Sequence, residues 1–392
     1  MTRITVVPTS PLKQSFLIDL AFHWLRSNIF SGVINSLLSL ALIALIVTVL
    51  SNFIVWAVLN AVWNAGSFDE CKEIIAATHG SEAHGACWAV LKGRVGVLLF
   101  GFYPPELYWR PITALVLLFA ALAPVFFKSL PRSMLGFSAV YPVIAYQLIR
   151  GGFVLEVVET REFGGLMLTL ILAVSGIALS IPTGIALALG RQFLIRPCRA
   201  FFASIIAFVR GVPLIVLLFA AFLLTNLFVP PGTHIDSILR AVAVIALHTG
   251  ARIAGAIHEG LVAIPQGQWD AASALGLGQR KAIWLIALPQ VLRSLSPWIV
   301  LAAVGAFRDT TLVAIAGFFD PVALLVVIRN DIAWHGVLWE VFIFVGAIYW
   351  SICFCMTCYS KYLERKLEAE RSQSINLNQQ LGTGAIATDS TA

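Results

Sequence analysis

The sequence predicts an all-α polytopic membrane protein with about eight transmembrane helices, and three observations lead there. Hydrophobic residues make up 59% of the 392 residues and charged residues 12%, against roughly 45–50% and about 25% in soluble domains, and the mean hydropathy is +0.89. The apolar residues gather into runs near the ~20 residues that cross a bilayer. Lys and Arg between the runs alternate between rich and poor segments, as the positive-inside rule expects. The spans must be helical, because lipid offers no partner to an unpaired backbone group.

The first run, Gly32–Val62, follows Arg3, Lys13 and Arg26. It is too long for a signal-peptide core and has no small-residue cleavage site, so it reads as a retained span. The others are Pro111–Phe127, Met134–Ile149, Gly165–Gly190, Ala200–Phe228, Ile235–Ile257, Val291–Phe307 and Gly336–Tyr359. The second and third are short and crowd around Lys128, Pro131 and Arg132.

With the N-terminus inside, the inner segments carry Arg3, Lys13, Arg26, Lys128, Arg132, Arg191, Arg196, Arg199, Arg280, Lys281, Arg293, Lys361, Arg365, Lys366 and Arg371. The outer ones carry Lys72, Lys92, Arg94, Arg110, Arg150, Arg161, Arg240 and Arg329. Fifteen against eight places both termini in the cytoplasm. The net charge of +6 is then topological, and no nucleic-acid partner is expected.

The outer loop 63–110 holds Cys71 and Cys87, in a compartment that sustains disulfides if it is a periplasm. Sequence leaves open a bridge or two unrelated thiols, since the Cα separation decides. Cys353, Cys355 and Cys358 splay around a helix with no histidine beside them, and no metal site is expected. No phosphate loop of the GxxxxGK[ST] kind occurs, nor HExxH, nor a nucleophile with a base partner, so neither nucleotide binding nor catalysis is expected of this chain. His258-Glu259 is the nearest to a catalytic pair and reads as an interfacial or ion-paired feature.

One polar stretch stands out, "QWDAASALGLGQRKAIWLIALPQ" (268–290). Ile264-Pro265 ends the preceding helix, Gln266–Ala274 forms a short one, Gly276 and Gly278 break it, Gln279–Leu288 forms a second, and Pro289 marks the turn back into the membrane. Asp270 suits the first helix's dipole, Ala271, Ala272 and Ala274 give it a smooth face, and Gly276 permits the reversal. Such a surface suits docking; the plain alternative is packing of the alanines against neighbouring helix ends.

Asp270-Ala271-Ala272, Gly276 and Leu288-Pro289 resemble the EAA coupling loop of permease subunits of binding-protein-dependent ABC importers. "RGVPL" (210–214), "AIPQGQWDAASALGLG" (263–278), "LPQ" (288–290) and "RDTTL" (308–312) are similar to signatures of the polar amino acid subfamily, and "HGACWAV" (84–90) with "GFYPPELYWR" (101–110) extends the likeness to the M-type permease of general L-amino acid importers. The resemblance implies a five-helix type-1 importer core over 164–360, a coupling loop at 260–290, a three-span extension over 1–163 and no cofactor. It also implies a separate ABC ATPase, a homologous permease forming a heterodimer, a periplasmic amino-acid-binding protein, an amino acid substrate and a bacterial inner membrane. Two departures stand out: the loop's usual glutamate is Asp270, and the run Arg252–Gly260 has Gly255 at the family's acidic position, His258 at its arginine and Glu259 at its first glycine.

Charges inside spans cost about 2.5–3.5 kcal/mol each on insertion scales, and so mark pathways. Arg210, Arg252, Arg308 and Asp309 qualify, and Gly211 and Pro213 interrupt their helix. Arg308, Asp309, Thr310 and Thr311 are expected to line a passage, the alternative being a local Arg308–Asp309 pair that only orders the bundle; Arg210 and Arg252 are divided between the passage and snorkelling to an interface. A secondary transporter or channel driven by an ion gradient is the competing function, weakened by the lack of repeat symmetry between the halves. Beyond Tyr359 the tail, 361–392 in the domain division, begins as a charged helical extension, "SKYLERKLEAER", and then turns into "SQSINLNQQLGTGAIATDSTA", which lacks the apolar content to pack and is expected to be disordered.

Overall fold

The computed structural model describes residues 29–126, 131, 134–152, 155–228, 230 and 235–389. Arg3, Lys13, Arg26, Lys128 and Arg132 of the charge count lie outside them. The chain divides into two compact units, 1–89 and 90–392. Secondary structure among the described residues is helical apart from four isolated bridges.

In the first unit, α1 (Val33–Ile54) ends in one π turn, Val55–Leu59, and none of its 22 residues is buried. The chain beyond it forms a small stapled knot. Ser67 caps α2 (Phe68–His79) by accepting from Glu70 N, while the Glu70 carboxylate accepts from Gly66 N at 2.6 Å, close to a capping box. Cys71 and Cys87, both fully buried, form a disulfide with their Cα atoms 6.0 Å apart. Trp88 Nε1 donates to Ala57 O at 2.8 Å, which fixes the loop to the end of α1.

The second unit opens with α3 (Ala89–Phe100), then the antiparallel pair α4 (Trp109–Phe126) and α5 (Met134–Arg150). Hydroxyls hold this pair: Tyr141 donates to Ala114 O and Ser138 to Ala121 O. Residues 90–163 belong to the same unit as the expected core, and a three-way backbone crossing shows why. Gly101 (φ +68°) lies so close to Gly164 that a Cβ on it would stand 2.3 Å from the Gly164 Cα, and Gly165 N donates to Phe319 O at 2.7 Å. Only glycine permits such an approach.

The centre of the core is α6 (Gly165–Phe193) against α9 (Ser237–Val262). Along α6, Gly176, Ser180, Gly184 and Ala188 recur every fourth residue, all buried, so the two backbones draw together in the small-residue manner of membrane helices. The fit is tight: a Cβ on Gly184 would meet Ile253 Cγ2 at 2.7 Å and one on Gly176 would meet Ile245 Cγ2 at 2.7 Å. Gly184→Leu is therefore expected to lower the melting temperature of the detergent-purified protein by several degrees, since overpacking a core costs about 1–3 kcal/mol. Gly211→Leu, where nothing lies within 4 Å, should leave it near wild type.

Between them, α7 (Arg196–Gly211) and α8 (Leu214–Phe228) are bent by 108°. Pro213 forces the break, because the residue before a proline is driven out of the helical region; Val212 sits at φ −97°, ψ 131°. After α9 come α10 (Gln266–Ala274), α11 (Gln279–Ala282), a π turn (Ile283–Ala287), α12 (Leu288–Asp309) and a 3-10 segment (Thr310–Ala316). Asp320 then caps α13 (Pro321–Arg329) through the N–H groups of Ala323 and Val322, and α14 (Trp339–Asp389) closes the chain. The return is antiparallel to α12, as Ser360 donates to Pro297 O at 2.8 Å and Arg293 meets Glu370 at 2.6 Å.

Six helices among the described residues are long and apolar enough to cross a membrane, seven with the bent pair counted as one span. The eighth expected span is α5, whose 17 residues reach only ~26 Å at 1.5 Å per residue, the short limit for a crossing. The run 200–228 is broken at Gly211–Pro213, as the sequence indicates. Two other expectations are corrected. Pro289 does not mark a turn: it stands in the first turn of α12, where its missing N–H is harmless, within a continuous stretch Gln279–Ala316. The expected disorder beyond Arg371 is instead a continuation of α14 to Asp389, because adding a residue to a helix already begun in the strong formers of 361–371 needs no new nucleus.

Candidate functional site

Two sites emerge, at different levels of the second unit. The first is the hairpin α10–α11. Its turn is a Schellman motif, in which Gly276 at φ +72° occupies C′, its N–H bonding to Ser273 O at 2.9 Å and that of Leu277 to Ala272 O at 3.0 Å. The hairpin is rooted rather than loose. Ala272, Ala282, Ile283, Ala287 and Leu288 are buried, the Trp269 ring lies tilted against Phe193 of α6 with centroids 6.4 Å apart, and Gln290 bonds to Gln268 across the base at 2.9 Å. Asp270, Ala271, Ala274, Gly276 and Pro289 face outward. Beside them stand Leu275, Trp284 and Leu285 at 77%, 54% and 67% exposure, an apolar tip on a rigid base.

The Asp270 carboxylate accepts from Gln266 Nε2 at 3.1 Å within its own helix, which leaves its charge at the exposed surface. The alanines divide between the two expected roles: Ala272 packs inward, while Ala271 and Ala274 form the outer face.

The second site lies where α7, α9 and α12 meet. Arg252 of α9 faces Asp309 of α12, with Nη1 3.9 Å from Oδ2 and both side chains about one-third exposed. One turn before Asp309, Gly305 makes room for the guanidinium: a Cβ there would lie 3.2 Å from both Nη atoms. Arg210, in the last turn of α7 beside the break, fits in the same way over Gly255, whose Cβ would stand 2.7 Å from Arg210 Nη1. His248, one turn before Arg252 on α9, adds a ring whose electrostatic neighbours are Asp309 and Arg252 and whose Nδ1 has no partner among the described residues.

Of the residues expected along a passage, the structure pairs Asp309 with Arg252 and seats Arg210 against Gly255, three residues along α9 from Arg252. It sets the others apart. Arg308 is exposed on another side of α12, near enough to Cys353 of α14 for its charge to act there, and Asp309 does not pair with it. Thr310 is fully buried with its hydroxyl donated to Phe307 O at 2.7 Å, and Thr311 donates to Arg308 O at 3.0 Å. Gly255 and Gly305 were not singled out as making space; glycine facing a long cation has no sequence signal until the neighbouring helix is placed.

Residues 180–369, which include the hairpin and the charged cluster, match the family described as "Binding-protein-dependent transport system inner membrane component". The glutamate/glutamine/aspartate/asparagine transport system permease protein BztC of Rhodobacter capsulatus is 40% identical over 410 aligned positions, covering 89% of this chain and 94% of that protein. The chain belongs to this permease family. A second member, the inner membrane amino-acid ABC transporter permease protein YhdY of Escherichia coli, is 39% identical over 90% of this chain and 94% of its own length. Among solved structures, an amino acid ABC transporter superposes with a TM-score of 0.45 at 24% identity, over 51% of this chain and 91% of that one. Residues 1–179 and 370–392 lie outside the family match.

Proposed function

We propose that this permease is the path-forming subunit of an ATP-driven amino acid importer, coupled to a separate ABC ATPase through Asp270, Ala271, Ala272, Ala274, Gly276, Leu288 and Pro289. The observation that carries the reading is the hairpin: a Schellman-capped turn with an exposed Leu275–Trp284–Leu285 tip, rooted by Trp269 and Ala272 in the helices it would have to move. A rigid root transmits displacement where a flexible loop would absorb it.

The passage runs past Arg210, Arg252 and Asp309, while Arg308, Thr310 and Thr311, set apart from them, are left out of it. Two guanidinium groups against one carboxylate make this level net cationic, which favours substrates carrying a carboxylate in excess of their ammonium. Acidic amino acids fit, in keeping with the glutamate and aspartate in the name of BztC; the amides in that name carry no such excess and are not selected by charge. In this reading both termini and the hairpin are cytoplasmic, the protein lies in a bacterial inner membrane, the partner is a homologous permease forming a heterodimer, and a periplasmic amino-acid-binding protein docks at the opposite face.

Proteoliposomes holding the complex purified with its native partners test this. Glutamate uptake should require both ATP and the binding protein, and be indifferent to collapse of proton and sodium gradients. Uptake by this chain without an ATPase, abolished when the gradient is collapsed, would instead establish a secondary transporter.

A further inference from the structure

The loop between α13 and α14 is held by the extension rather than by the core alone. Gly93 of α3 faces the Trp334 indole, with a Cβ there at ordinary contact distance (3.7 Å), and Trp334 is 5% exposed. One residue on, Arg94 forms an ion pair with Asp331, 237 positions away in the chain, at about one-third and one-quarter exposure. Asp331 also accepts from Ala333 N at 3.0 Å, and successive turns join Asp331 to Ile328, Trp334 to Asp331 and Val337 to Trp334. Between the two anchors stands Ile332, 100% exposed.

From this we propose that α3 builds part of the docking surface for the soluble amino-acid-binding protein: Arg94 and Gly93 hold loop 330–338 in one shape, which presents Ile332 as an apolar anchor. The proposal rests on the importer reading above. The occupant follows from position. α12 leaves the hairpin at Leu288, and its 22 residues rise ~33 Å, about a hydrocarbon thickness. α14 returns from the loop to lie beside Arg293 and Pro297. The loop is thus at the end of the bundle remote from the ATPase-facing hairpin, where the soluble partner is the binding protein. A preformed loop loses little freedom on docking, so an isoleucine there contributes more than it would on a mobile segment. The ion pair neutralises the charges beside it and leaves an apolar contact.

The test uses the complex purified with its native partners in nanodiscs, with ATPase rate followed against the concentration of the importer's own loaded binding protein. Ile332→Asp, and the uncharged Ile332→Ser in a milder degree, should raise the half-saturating concentration by about tenfold, the scale for losing one interface anchor. The rate without binding protein and the rate at saturation should not move. Arg94→Ala should act in the same direction, and Arg94→Lys, which keeps a cation opposite Asp331 and leaves the Asp331–Ala333 bond intact, should stay within about threefold of wild type. An Ile332→Asp curve superimposable on wild type, or an Arg94→Ala curve superimposable on wild type, overturns the proposal, the first showing that the residue meets lipid or solvent. A wild-type complex that the binding protein does not stimulate at all overturns the importer reading itself.

Discussion

A Gly276→Val permease is expected to reach the membrane and assemble, yet to lose about 5–30-fold of its substrate-stimulated ATPase activity and uptake. The backbone at Gly276 sits at φ +72°, a conformation that costs an L-residue roughly 1–2 kcal/mol and a β-branched one more. No heavy atom lies within 4 Å of a Cβ placed there, so the defect comes from the backbone and not from a clash in the fold. A penalty of that size shifts the population of the Schellman turn by about 5–30-fold, and with it the angle at which the Leu275 tip is presented. Gly276→Asn provides the control, because asparagine tolerates the left-handed region, and should retain most activity. Equal loss in both would trace the effect to bulk at the docking surface, and no loss in either would remove the turn from the coupling path.

The second large effect is expected at the ion pair between α9 and α12. Asp309→Asn leaves Arg252 facing Gly305 with no carboxylate, and uptake should fall by about tenfold or more, the scale of one charge-assisted contact. The double variant Arg252→Gln/Asp309→Asn separates two roles. A pair that only orders the bundle allows the double variant to recover thermal stability and uptake together. A pair that lines the passage allows stability to recover while uptake stays low. The second outcome is expected, measured by glutamate uptake and melting on the same preparations, because both side chains of the pair are about one-third exposed and so can meet a ligand.

Much of this was legible in the sequence, and the parts that were not share a cause. The bounds of α10 were readable because Pro265 and Gly276 punctuate it, and the break at Gly211–Pro213 because the residue before a proline leaves the helix. Pairing across helices was not. Arg308 and Asp309 adjoin in sequence, but successive helical residues point about 100° apart, so their side chains do not face one another, and Asp309 meets Arg252 instead. The Arg94–Asp331 pair and the Gly101–Gly164–Phe319 crossing join segments more than 60 residues apart, where local pattern carries no information. Pro289 resembles a turn in sequence because a proline after a helical run disfavours helix at the residue before it, and the π turn there, which keeps the path continuous, has no composition of its own. The sequence beyond Arg371 lacks residues to pack, but a helix already begun satisfies its own hydrogen bonds as it extends.

The central claim is that the hairpin faces the compartment of the ATPase and is covered by it. A Leu275→Cys variant, with Cys198, Cys353, Cys355 and Cys358 replaced by serine, allows a membrane-impermeant maleimide to be offered to sealed vesicles of either orientation. Labelling is expected only from the cytoplasmic side, and should be suppressed when the ATPase is bound. Labelling from the outer side, or labelling from inside at a rate the ATPase leaves unchanged, would contradict it.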